Sequence, residues 1–251
     1  MIELRDLTVG YGGQPVLSHV DLGFRPGEVT ALIGPNGCGK TTLIRTALGL
    51  HPAMDGQVLV DGTPVGDLAP RELAQKAAYL AQSRNVPNIT AGRMVLHGRF
   101  PYLSYPRRYR PEDKAAAKAA LERVGAADLA HRLMPQLSGG QRQKVYLAMA
   151  LAQDTGTVFL DEPTTFLDAG HQLEVMDTAR WLAGQGKAAV LVLHDLCLAM
   201  RGADRLALLA EGRLRCCGTP EEVFSSGAIR QAFGVELRRT QTEAGWRYYY
   251  E

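Results

Sequence analysis

Between Val16 and Phe24 the apolar positions Val16, Leu17, Val20, Leu22 and Phe24 recur in near alternation, and Arg25-Pro26-Gly27-Glu28 follows as a turn signal. That spacing predicts a half-buried strand. Val29-Thr30-Ala31-Leu32-Ile33 is instead an almost continuous apolar run ending at a glycine, the pattern of a strand covered on both faces. Beyond it Leu43, Ile44, Ala47 and Leu48 recur at helical spacing, so a strand–loop–helix unit is predicted over residues 29–50. Val58-Leu59-Val60 then reads as a strand running into an Asp61-Gly62 turn. The buried-strand pattern returns at Thr157 to Leu160 and at Ala188 to Leu193, each time followed by helical spacing. From about Ser83 to Leu151 the character changes. Asp113 to Val124 is rich in Ala, Lys, Glu and Leu and strongly helical. Before it, Arg99, Arg107, Arg108 and Arg110 lie among Tyr102, Tyr105 and Tyr109, a stretch whose plain reading is a solvated irregular loop. Strands alternating with helices predict an α/β fold with a mostly parallel sheet and a helical insertion.

Composition narrows the class. A chain of 251 residues can form one large domain or two small ones, and 46% hydrophobic with 22% charged residues excludes a disordered chain, a collagen-like polymer and a small disulfide scaffold. The apolar stretches Val145 to Ala152 and Ala188 to Leu193 fall short of the roughly 18 residues a membrane-spanning helix needs. No signal peptide is visible behind Met1. Four cysteines, Cys216 and Cys217 adjacent, do not make a disulfide framework, so a reducing cytoplasmic setting is expected. A net charge of +2 lacks the basic excess of a dedicated nucleic-acid binder, and no nucleic-acid partner is expected.

The chemistry is concentrated in three strings. Gly34-Pro35-Asn36-Gly37-Cys38-Gly39-Lys40-Thr41, with Thr42 after it, is a full G-x-x-x-x-G-K-[ST] match between a predicted strand and a predicted helix. Glycines let successive backbone N–H groups curl around phosphate oxygens, and the helix that follows adds its positive end. Lys40 is placed to reach the β- and γ-phosphates and the Thr41 hydroxyl to ligate Mg²⁺. Val158-Phe159-Leu160-Asp161-Glu162 sets two acids at the end of a buried strand, where alternation sends them to opposite faces and different tasks. Asp161 suits a direct or indirect hold on Mg²⁺, and Glu162 suits the attacking water, as general base or orienting group. In Leu137-Ser138-Gly139-Gly140-Gln141, Ser138 and Gln141 have capping-box spacing at the head of a helix continuing through Val145, Ala148 and Leu151. The glycine pair exposes backbone N–H groups there, a second anion site.

With these strings the sequence resembles the ATP-binding cassette (ABC) family over nearly its whole length. The resemblance implies a P-loop NTPase core with a mostly parallel sheet, an N-terminal antiparallel β subdomain and an inserted α-helical subdomain. It implies one nucleotide-binding domain: residues 1–82 and 154–251 as core plus β subdomain, residues 83–153 as the helical subdomain. It implies ATP and Mg²⁺, the ion held by Thr41, Gln82 and Asp161. Tyr11 resembles the aromatic that stacks on adenine, Gln82 the glutamine joining the nucleotide site to the insertion, and His194 the histidine on the γ-phosphate. Thr165-Phe166-Leu167-Asp168 resembles the loop that crosses between subunits. Two copies are implied to pair head-to-tail, each ATP lying between one phosphate loop and the other copy's Ser138, Gly139, Gly140, Gln141 and Asp168. With one cassette and no span, the chain is similar to separate ATPase subunits that dock on membrane-spanning permeases at the cytoplasmic face of the cell membrane, with an extracytoplasmic substrate-binding protein as an indirect partner. Gly98-Arg99-Phe100-Pro101-Tyr102-Leu103, Leu167-Asp168-x-x-His171-Gln172 and His194-Asp195-Leu196 resemble the importers of iron–siderophore, haem or cobalamin. Import of another solute, a non-transport cassette acting on ribosomes or DNA, and a P-loop kinase or GTPase are the alternatives. Thr157 in the Asp161 strand and Cys197 after His-Asp-Leu depart from the family pattern.

Overall fold

Strands form where the alternation and the apolar runs place them. The computed structural model describes residues 1–82, 85–165, 167–243 and 245–251. The chain opens with β1 (Ile2–Tyr11), β2 (Gln14–Phe24), β3 (Val29–Ile33), α1 (Lys40–Ala47), β4 (Asp55–Val60) and β5 (Thr63–Pro64). It continues through α2 (Pro70–Lys76), β6 (Ala77–Leu80), α3 (Ala91–Leu96), α4 (Pro111–Arg123), α5 (Gly139–Ala152), β7 (Thr157–Asp161) and α6 (Ala169–Gly184). It closes with β8 (Ala188–Val192), α7 (Leu196–Gly202), β9 (Arg205–Ala210), β10 (Arg213–Gly218), α8 (Pro220–Ser225), α9 (Ala228–Phe233), β11 (Leu237–Thr242) and β12 (Gly245–Tyr250).

Two compact units result, residues 1–68 with 179–251, and residues 69–178. In the first, β2, β1, β4 and β5 form an antiparallel sheet, the expected N-terminal β element. Beside it in sequence, β10, β9, β3 and β8 are ordered so that β3 pairs in parallel with both β8 and β9. Every residue of β3 and β8 is buried, as expected for strands covered on two faces. Leu17, Phe24, Leu32, Ile33, Leu43 and Ile44 are among the unit's largest fully buried side chains. The C-terminal β11 and β12 form a small antiparallel hairpin.

In the second unit β6 and β7 pair in parallel, and α3, α4 and α5 pack around Val95, Ala117, Met134 and Ala148. Here the expectation of a solvated irregular loop before α4 holds over residues 103–110, which are mostly exposed, and fails at residues 97–102. Residues 97–102 form a 3₁₀ turn that seals the C-terminal end of α5. Gly98 makes the approach possible: a Cβ on it would stand 2.2 Å from the Met149 carbonyl oxygen. Arg99 then donates to the Ala152 carbonyl at 3.1 Å, and the Tyr102 hydroxyl donates to the Gln153 carbonyl at 2.8 Å. These are carbonyls that a helix end leaves without partners. The Arg99 guanidinium lies 3.9 Å from the Tyr102 ring centroid and pairs with Asp113 at 3.0 Å, the two side chains 12% and 5% exposed. Arg107, Arg108 and Arg110 stay exposed.

Burial pushes the Asp113 carboxyl up, but hydrogen bonds from Arg110 N–H and Arg99, with both charges, outweigh it and hold the group below the ordinary 3.8. A carboxyl lowered on folding stabilises the fold above its unfolded value, and that contribution is lost as pH falls through the folded value. Asp113→Ala leaves a buried guanidinium unpaired and is expected to cost about 3–5 kcal/mol in denaturant unfolding at neutral pH. The difference from the parent should shrink below pH 4, in the acid range where the parent carboxyl protonates.

Candidate functional site

β3 delivers the chain into the glycine-rich loop with its backbone already buried, and the loop must turn back at once to start α1. Gly34 makes this turn at φ 155°, where a Cβ would collide with the Leu209 carbonyl oxygen of β9 at 2.1 Å. Gly39 is the N-cap of α1 and offers no side chain, so the first N–H groups of the helix are not claimed by a side-chain cap. Lys40, 6% exposed, folds its ammonium over the loop and donates to the carbonyls of Gly34 at 2.7 Å and Pro35 at 3.0 Å. Its Nζ also lies 3.7 Å from the Cys38 Sγ. Tyr11 presents an exposed ring at the end of β1, its hydroxyl 3.4 Å from the Thr42 hydroxyl. His51 backs that ring at a centroid distance of 4.5 Å and is fixed by its own Nε2, which donates to the Gly10 carbonyl at 2.8 Å. His194 stands exposed just past the end of β8.

The second unit assembles the carboxylates. Asp161 is fully buried at the end of β7 and accepts from the Tyr79 hydroxyl at 2.9 Å, Tyr79 lying on the adjacent strand β6. Glu162 comes next, but strand alternation does not set its direction. The strand ends at Asp161, and Glu162 turns at φ 51°. Its Oε2 accepts from the Gln82 amide at 2.6 Å and from the Thr165 hydroxyl at 3.2 Å, so the carboxylate is held on two sides. The expected capping box at the head of α5 is present, with Gln141 N–H donating to the Ser138 hydroxyl at 3.3 Å and Ser138 N–H to the Gln141 side chain at 3.1 Å. Gln143, one step along the helix, donates to the Pro163 carbonyl at 2.7 Å and ties α5 to the turn carrying Glu162. A cavity of about 320 Å³ opens between Gln82, Glu162, Thr165, Gly139 and Arg142. The Arg142 Nε in its wall is buried without a hydrogen-bond partner, a polar atom suited to an anionic oxygen. Asp168 is exposed ahead of α6, and Phe166 lies outside the described residues.

Four supporting residues were not foreseen from the sequence: His51, Tyr79, Gln143 and Tyr250. The last accepts from the Leu196 N–H at 3.2 Å, two positions beyond His194. Burial first, then the neighbouring Cys197, pushes its phenol up to about 12, so it is un-ionised there. The site strings are local, but their supports come from strands and termini far away in sequence.

A model of the ABC transporter family matches residues 17–165. The chain belongs to the ABC transporter family. The match takes in the phosphate loop, Gln82, the signature segment from Ser138 to Gln141 and both carboxylates, while Tyr11, Asp168 and His194 lie outside it. The achromobactin transport ATP-binding protein of Dickeya dadantii (strain 3937) is 39% identical over 94% of this chain and 89% of its own length. The hemin import ATP-binding protein of Streptomyces coelicolor (strain ATCC BAA-471 / A3(2) / M145) is 44% identical over 90% of this chain and 81% of its own. An ATP-binding cassette of an ABC transporter, solved in its ADP conformation, superposes with a TM-score of 0.83 at 23% identity, covering 94% of this chain and 99% of that one, a likeness of fold. The cassette is therefore an ATP-binding ATPase. Among the described residues no helix is long and apolar enough to cross a membrane.

Cys38 sits within this phosphate loop, and its Sγ would stand 2.7 Å from a Cβ placed on Gly34. Alkylation of Cys38 is expected to block nucleotide binding, read by titration with a fluorescent ATP analogue, because the added bulk fills the loop. Burial pushes the thiols of Cys197, Cys216 and Cys217 up, which slows their reaction. Cys38→Ser should therefore resist the reagent, and equal sensitivity of that variant would move the effect to another thiol.

Proposed function

We propose that the cassette powers the import of a metal chelate, an iron–siderophore, haem or cobalamin complex, from the cytoplasmic face of the cell membrane through permease subunits. The observation that supports this most is the similarity to ATP-binding proteins named for achromobactin transport and hemin import, over 94% and 90% of the chain. An extracytoplasmic binding protein would hand the chelate to the permease. Residues 83–153 form the helical subdomain in this proposal, with residues 1–82 and 154–251 as the core and β subdomain. Two copies pair head-to-tail, each offering Ser138, Gly139, Gly140, Gln141 and Asp168 to the nucleotide held by the other.

In this reading the loop from Gly34 to Thr42, including Pro35, Asn36, Gly37, Cys38 and Gly39, wraps the phosphates with backbone N–H groups. Lys40 exchanges its loop carbonyls for phosphate oxygens, and Tyr11, backed by His51, stacks on adenine. Glu162, its Oε2 fixed by Gln82 and Thr165, orients and deprotonates the attacking water, and His194 holds the γ-phosphate. The donor set fits Mg²⁺. Thr41, Gln82 and Asp161 carry hard oxygen donors, and this ion takes one or two carboxylates with phosphate oxygens and water instead of an all-protein cage. Bound there, Mg²⁺ would supply charge neutralisation on the phosphate oxygens.

In liposomes with a siderophore-type permease, the chain is expected to drive ATP-dependent uptake of a metal chelate. Uptake of another solute class and of no chelate would overturn the substrate assignment while leaving the ATPase intact. Glu162→Gln is expected to keep ATP binding and lose turnover by about 10²–10⁴, the scale of a positioned base. Near-normal hydrolysis by that variant would exclude Glu162 as the base.

A further inference from the structure

We propose that His171 is a positioning residue that ties the loop bearing Asp168 to the second glycine of the signature segment. One oxygen of Asp168, Oδ1, accepts twice from this residue, from its backbone N–H at 2.9 Å and from the imidazole Nδ1 at 2.8 Å. A carboxylate only accepts, so Nδ1 carries the proton and the Nε2 edge is turned away from Asp168. That edge lies against α5. A Cβ added to Gly140 would stand 3.3 Å from Nε2 and 3.5 Å from Cδ2 and Cε1, so the ring occupies the place where another residue would carry its side chain. One turn further along both helices, Lys144 and Glu174 make a second tie at 2.8 Å.

The ring is not wedged in place by packing. A cavity of about 260 Å³ opens beside it, with Gln143, Lys144 and Glu174 in its wall. A ring with free volume next to it keeps its orientation through its hydrogen bonding, and here the Nδ1 bond runs to Asp168, whose same oxygen is also held by the His171 backbone N–H. The bonds act on the acid as well: the backbone N–H of His171 first, then its ring, hold the Asp168 carboxyl below its ordinary value. A displacement of Asp168 therefore turns the imidazole, and the imidazole carries the displacement to Gly140 and the first turn of α5. The functional consequence rests on the head-to-tail pairing proposed above, in which that turn meets the nucleotide of the second copy. His171 then reports the state of the crossing loop to the neighbouring active site.

Amide hydrogen exchange and steady-state hydrolysis on the full-length chain test this together. His171→Ala is expected to speed exchange at the Gln141 and Arg142 amides about fivefold or more, with melting unchanged. It should lower kcat about tenfold and leave KM for ATP within about twofold, since the phosphate loop is untouched. His171→Asn, whose side-chain amide can still donate to Asp168, should recover most of the lost turnover. The Asp168→Ala, His171→Ala double variant should be no slower than the slower single one, because both break one path. Unchanged exchange at Gln141 and Arg142 overturns the tie, as do additive losses in the double variant. Faster exchange with unaltered kcat leaves the tie standing and overturns its reach to the neighbouring active site.

Discussion

Parallel pairing is the constraint on which the site depends. Strands that run in one direction end on one edge, so whatever follows each of them is gathered there without any designed contact. In the first unit β3 pairs with β8 and β9 in the same direction, which sends the phosphate loop, His194 and the Leu209 carbonyl to the same ends of their strands. In the second unit β6 and β7 do the same for Gln82 and Glu162, and a 2.6 Å hydrogen bond closes the pair. Burial of these strands on both faces is what keeps the edge rigid. Their apolar runs have no solvent face to slip toward.

α5 shows how the same economy extends to helices. A capping box holds its first turn, and Arg99 with Tyr102 holds its last carbonyls. Gln143 fastens its second turn to the turn of Glu162. A helix fixed at three points moves as a body, so a push at its first turn is felt at its last. The segment that closes its C-terminal end, from Gly98 to Tyr102, is therefore part of the frame of the helical unit and not a surface decoration.

Much of this was legible in the sequence because it is local. The bounds of β3, the loop with its lysine and the Ser138 capping box all depend on residues within a few positions of one another, and each was found as expected. The resemblance to a known family then supplied roles that spacing alone does not. What escaped was everything that needs two distant segments to meet. Tyr79 reaches Asp161 only once β6 lies beside β7, and Tyr250 reaches Leu196 only when the last hairpin folds onto α7. Arg99 looked like a solvated charge because its partner Asp113 sits beyond a run of arginines and tyrosines in which no pairing can be read. Opposite directions for Asp161 and Glu162 were anticipated from strand alternation, but what sets the direction of Glu162 is different: the strand stops, and its backbone takes a left-handed turn.

That turn sets fold economy against chemistry at one residue. A non-glycine side chain in the left-handed region costs on the order of 1 kcal/mol, a cost that glycine or asparagine would relieve. A heat-challenge library, which ranks substitutions by thermal stability alone, should thus favour replacing Glu162. A glutamate stands there against the preference of its own backbone.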